Sequence, residues 1–162
     1  MAEKIAASQV MTNPVNFFAF GFGAGLAPKA PGTFGTLVAI PFVWLTADLS
    51  LFYYLALTAV ICIVGVYLCH KSAEQLGVHD HPGIVWDEIA GYFITMIGFS
   101  FTWTNAIVGF VLFRFFDIIK PWPIRWADKK VSGGFGIMLD DIIAGMFAWV
   151  SLFLFNYFGS GL

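Results

Sequence analysis

From Leu51 to Cys69 the chain runs for nineteen residues without a formal charge. As a helix at about 1.5 Å per residue, that stretch approaches the thickness of a bilayer core and is long enough to span it alone. In lipid a segment must satisfy its own N–H and C=O groups, and a helix does so. The other apolar segments are arranged around it. Leu37 to Ala47, with Pro41 expected to bend it, joins Leu51 to Cys69 through the short Asp48-Leu49-Ser50 link and makes a helical hairpin. A second hairpin runs in over Ile89 to Phe99, turns at Ser100 to Asn105 and returns over Ala106 to Ile119, with arms short for a full span. Ile142 to Phe158 closes the series, and His70 to Trp86 is expected as a polar, water-exposed connector. The expected fold is all-α: a compact, multi-helical integral membrane bundle of about five apolar helices, including the two short hairpins, in one domain over 1–162.

Composition agrees. The chain is 59% hydrophobic and 11% charged, where soluble domains have about 45–50% and about 25%. Eight Lys and Arg and a net charge of −2 do not provide the basic face that phosphate-backbone contacts need, so a nucleic-acid partner is excluded. Cys62 and Cys69 fall within one apolar run and are expected as packed thiols rather than a disulfide or a metal site. The first residues lack an apolar core followed by a small-residue cleavage site, so no signal peptide is expected.

The charges then orient the bundle. Lys4 and Lys29 precede the first hairpin, Lys71 follows it, and Arg114, Lys120, Arg125, Lys129 and Lys130 surround the connector after the second. The opposite connections carry no Lys or Arg. By the positive-inside rule this places the N-terminus in the cytoplasm with five crossings. Every acid except Asp48 then falls on the cytoplasmic side as well.

Two of the acidic segments repeat a spacing, WDEIAG at Trp86 to Gly91 and LDDIIAG at Leu139 to Gly145. Asp87 precedes Gly91 by four residues and Asp141 precedes Gly145 by four, offsets that share a helix face. A small residue one turn from a carboxylate lets a neighbouring helix approach, so the two carboxylates are expected to meet. Both segments are expected as helix starts, where Asp87, Glu88, Asp140 and Asp141 would face the positive end of the helix dipole. Arg114, Asp117 and Lys120, each three apart, arrive at the same depth. Carboxylates that converge this way repel one another unless a cation lies between them, and all-oxygen ligation suits Mg²⁺ or Mn²⁺. Arg114, Lys120 and Lys29 are the candidate phosphate partners.

Two stretches are less decisive. Gly21 to Thr36 holds five Gly, two Pro and two Thr, a make-up that serves an anion-cradling loop and a simple interfacial connector equally. His79 and His81 flank Asp80, where a solvated loop is favoured over a metal site or proton shuttle.

With GFGAGLAPKAPGTFGT, DHPGIVWDEIAG, FRFFDIIKPWP and LDDIIAG in this order, the chain resembles the phosphatidylglycerophosphatase A family, small bacterial membrane phosphatases. The resemblance implies a Mg²⁺-dependent enzyme of the inner membrane with its site facing the cytoplasm. Its substrate would be the membrane lipid phosphatidylglycerol phosphate, and its products phosphatidylglycerol and inorganic phosphate. Carried over, the matching polar residues are Lys29, Thr33, Asp80, Asp87, Glu88, Arg114, Asp117, Lys120, Asp140 and Asp141. Asp87, Glu88, Asp117 and Asp141 are expected to be catalytic, with Asp140 as a further metal ligand, while Lys29, Thr33, Arg114 and Lys120 bind substrate. His81 departs from the acid expected beside Asp80. Two rivals are a small cation transporter, which would want acids near the midplane, and a CDP-alcohol phosphotransferase, whose DGxxAR and GxxxDxxxD patterns are absent.

Overall fold

The computed structural model describes residues 5–78 and 80–159; Lys4 and His79 lie outside the described residues. Eight α-helices and one short 3₁₀ turn at Ala24–Leu26 make up the fold, with no strand among the described residues. In chain order the helices are α1 (Ala7–Met11), α2 (Pro14–Ala19), α3 (Pro31–Leu45), α4 (Leu51–Leu76), α5 (Trp86–Thr95), α6 (Trp103–Ile119), α7 (Ile124–Lys130) and α8 (Gly133–Gly159). The all-α expectation holds, and α3, α4, α5, α6 and α8 are the five longest helices among the described residues.

Local chemistry sets several of the ends. Asn13 caps α2 by accepting from the N–H groups of Val15 and Asn16, and Pro14 stands at the first helical position, where its missing N–H costs nothing. Thr102 caps α6 by accepting from the Asn105 N–H at 3.1 Å. Gly77, at φ 66°, closes α4 in the left-handed conformation that glycine adopts without strain.

Two expected boundaries are corrected. Helix α4 continues past Cys69 to Leu76, so the first part of the expected polar connector is helical. The rest of that connector is not simply exposed, since Ile84 and Val85 are buried. Helix α8 begins at Gly133, well before Ile142. Its glycine-rich start lies against α4, where a Cβ on Gly134 would collide with the Val66 carbonyl and sit 2.6 Å from the His70 Cβ. That close approach is what holds the polar Gly133–Asp141 stretch in the helix.

Helix α5 is the centre of the bundle. Every residue from Ile89 to Thr95 is buried, enclosed by α3, α4, α6 and α8. Ten residues reach only about 15 Å, so α5 ends inside the protein and its last carbonyls need partners there. Tyr54 Oη donates to the Phe93 carbonyl at 3.0 Å, and just beyond the helix Trp149 Nε1 donates to the Ile97 carbonyl at 2.8 Å.

The outer surface is apolar. Helices α4 and α8, at 26 and 27 residues, are long and apolar enough to cross a membrane, and α6 adds exposed Ile107, Val111, Phe115 and Ile118. A surface of this kind is suited to lipid rather than water. Exposed tryptophans stand at both ends, Trp44 and Trp103 at one and Trp122 and Trp126 at the other, as in the aromatic belts of membrane interfaces. The connections without Lys or Arg meet at the first end, where Leu49 and Ser100 line one small cavity. The charged residues gather at the other. Cys62 and Cys69 are free thiols, Cys69 buried.

Candidate active site

Three contacts fix the first turn of α5 at the charged end. The Val85 N–H donates to the Ala19 carbonyl at 2.8 Å, Trp86 Nε1 donates to the Ile61 carbonyl at 3.1 Å, and Gly35 of α3 lies against Val85. Helices α5 and α8 cross at two glycines. A Cβ on Gly145 would stand 2.5 Å from the Gly91 carbonyl oxygen, and one on Gly91 would stand 2.8 Å from that of Asp141. Asp87 and Asp141 each lie one turn before their glycine, so this crossing brings their side chains together.

Glu88 completes the group. One carboxylate oxygen from each of Asp87, Glu88 and Asp141 lies within 4.8 Å of the others, close enough to hold a single metal ion. Asp87 Oδ1 and Glu88 Oε2 are shielded from solvent and have no hydrogen-bond partner. Asp87 and Glu88 precede the arm of α5 that enters the bundle. Burial, with the neighbouring Glu88 and Asp141 charges, holds the Asp87 carboxyl well above the usual carboxylate range. Burial likewise pushes Glu88 up to about 7, although Arg114 pulls the other way. Buried carboxylates with orphaned oxygens favour a bound cation, so the donor set fits a hard divalent ion.

Asp117, Asp140 and Asp128 are already engaged. Arg114 Nη1 pairs with Asp117 Oδ2 and stands 3.6 Å from Glu88 Oε1. Lys120, the left-handed residue that closes α6, donates from Nζ to Asp140 Oδ2 at 2.6 Å and to Asp128 Oδ1 at 2.7 Å. Partial burial alone would lower the Lys120 pKa, but these two bonds outweigh it and raise the pKa. Arg114 keeps a buried Nε–H without a partner, and Lys120 keeps its third N–H.

All of these side chains line one cavity of about 380 Å³, together with Ala30 of the Gly/Pro loop, Pro31 and Gly32 of the first turn of α3, into which the last part of the expected loop folds, and Asp80 and His81 of the connector. Lys29 is exposed and does not line it, and neither does half-buried Thr33. Asp140 and Asp141 stand about two turns inside α8, so the expected helix-start position applies only to Asp87 and Glu88.

Two residues of the cavity lining, Gly32 and Asp128, escaped the sequence reading, and the expectation for His81 is corrected. Gly32 leaves room for the Glu88 carboxylate, which a Cβ there would overlap; its signal was a glycine just after a helix-opening proline. Asp128 was hidden in a basic run. His81 stacks on Phe20, with ring centroids 5.7 Å apart, rather than sitting in a solvated loop.

An apolar helical bundle that gathers uncompensated carboxylates and restrained cations into one cavity near a membrane boundary has the make-up of a membrane-bound enzyme for anionic substrates. The family model for Phosphatidylglycerophosphatase A matches residues 17–156, and the chain belongs to that family of phosphatases. It is 50% identical to the Phosphatidylglycerophosphatase A of Escherichia coli K12 over 147 residues, covering 89% of this chain and 85% of the relative. It is 45% identical to that of Haemophilus influenzae over 149 residues, covering 91% of each. A Bacteroides thetaiotaomicron relative at 32% identity, covering 80% of this chain and 86% of its own, carries a provisional description as a phosphatidylinositol-3-phosphatase. No solved structure matches.

Proposed function

We propose that the protein hydrolyses the terminal phosphate monoester of phosphatidylglycerol phosphate, dependent on Mg²⁺, at the cytoplasmic face of the bacterial inner membrane. The observation that carries this reading is the carboxylate trio Asp87, Glu88 and Asp141 with its orphaned oxygens. Family membership supports the reaction and the substrate. Two relatives bear the name of a phosphatase for that lipid.

The trio would hold Mg²⁺. Bound there, the ion would offset the phosphoryl charge and make water more acidic. Arg114 directs its free Nε–H, and Lys120 its third N–H, to phosphoryl oxygens. Asp117 holds Arg114 in place, and Asp140 and Asp128 hold Lys120. Hydrolysis breaks the bond between phosphorus and the glycerol oxygen. Water supplies the new oxygen on phosphorus, and one of its protons ends on the released glycerol hydroxyl. The cavity volume suits a glycerol phosphate head group. Ile118 lines the cavity and is 68% exposed on the outer face of α6, so the acyl chains can remain in the bilayer. The cytoplasmic placement rests on the gathering of Lys and Arg at this end.

The test is phosphate release from phosphatidylglycerol phosphate by purified protein, with EDTA and after Mg²⁺ is restored. Release that stops in EDTA and returns with Mg²⁺ is expected. Release unaffected by EDTA would overturn the metal-dependent reading.

A further inference from the structure

His81 lies outside the machinery described above, yet it lines the same cavity. Its ring is fixed on two sides. Phe20 stacks against one face with an interplanar angle of 29°, and the Gly83 N–H donates to His81 Nδ1 at 3.0 Å. Gly83 is itself pressed against the backbone of Gly25 in the Gly/Pro loop. The loop and the connector therefore hold the imidazole between them.

The Gly83 bond has a chemical consequence. A backbone N–H can only donate, so Nδ1 must accept, and the single proton of the neutral ring lies on Nε2. That Nε2 is shielded from solvent and has no partner. A buried donor left unpaired is costly unless a ligand supplies the acceptor. The cavity it borders already holds the free donors of Arg114 and Lys120. We propose that His81 is a further substrate-binding residue, donating its Nε2–H to a phosphoryl oxygen. This rests on the phosphatase reading of the cavity. It gives a defined part in the site to Phe20, at the end of α2, which stacks on the ring, and to Gly25 of the Gly/Pro loop, which packs on Gly83.

Three variants separate this role from a structural one. In His81→Asn the amide oxygen replaces Nδ1 and keeps the Gly83 bond, but no donor reaches the Nε2 position. In His81→Gln the amide nitrogen falls near Nε2 and restores the donor. His81→Ala removes both. The measurement is kcat/KM for phosphate release, with the melting temperature of each variant in detergent. His81→Asn and His81→Ala are expected to lose about 100-fold, the usual consequence of removing one donor to a developing oxyanion. His81→Gln should recover most of that loss, whatever its melting temperature. Activity of His81→Asn equal to wild type, or of His81→Gln no better than His81→Ala, would overturn the assignment. A wild-type protein that releases no phosphate would instead overturn the phosphatase reading beneath it.

Discussion

Of the seven acids that line the cavity, five divide into two kinds. Asp117 and Asp140 each have a cation of the chain against them, Arg114 and Lys120. Asp87, Glu88 and Asp141 crowd together, and among the described residues only Glu88 has an ion-pair partner, Arg114 at 3.6 Å. Charge on an acid therefore does not define its role here; the partner does. The paired acids position cations that can hold a phosphate. The crowded trio is the part of the site that a divalent ion would complete. The expected set of metal ligands, Asp87, Glu88, Asp117, Asp140 and Asp141, narrows in the proposal to Asp87, Glu88 and Asp141, with Asp117 and Asp140 as positioning residues.

The contrast can be broken by substitution. Asp141→Asn should cost the most, on the order of 10³-fold or more in phosphate release. A retained rate would remove Asp141 from the trio. Arg114→Ala should reduce kcat/KM by about 10²-fold. It should also destabilise the protein by about 3 kcal/mol, because Asp117 is left buried without its partner; denaturation in detergent reports this.

Stability against pH tests the trio from another side. Glu88 is raised from 4.5 to about 7 in the folded protein. An acid whose folded pKa is raised contributes stability at low pH and loses it as pH climbs through the folded value. In EDTA the melting temperature should therefore fall as pH rises through that window, and Mg²⁺ should flatten the fall. The smallest effect belongs to the rim. Asp128 is exposed and shares Lys120 with the buried Asp140. Asp128→Asn should lower activity by no more than a few-fold, consistent with the about 0–1 kcal/mol typical of exposed pairs. A loss as large as that of Arg114→Ala would mean that Asp128 holds more than a cation.

Much of this arrangement was legible in the sequence, because it depended on spacing within helices. The four-residue offset of Asp87 from Gly91 and of Asp141 from Gly145 anticipated the crossing that joins them. The run of uncharged residues anticipated α4, and the basic residues anticipated which end carries the site. What was not legible depended on contacts between distant segments. Nothing in HDHP shows that Phe20 will stack on His81, or that Gly25 and Gly83 will touch. The early start of α8 was hidden because Gly133, Gly134 and Gly136 are weak helix formers taken alone. Their lack of side chains permits the packing against α4 that makes the segment helical. Thr33 and Lys29 show the reverse: their motif matched, but they do not line the cavity.

The most direct test of the central claim is Mn²⁺ binding to purified protein, followed by electron paramagnetic resonance, in wild type, Asp87→Asn and Asp117→Asn. Wild type is expected to bind Mn²⁺, Asp87→Asn to lose that binding, and Asp117→Asn to retain it. Binding that survives in Asp87→Asn but disappears in Asp117→Asn would contradict the division of the acids on which the mechanism rests.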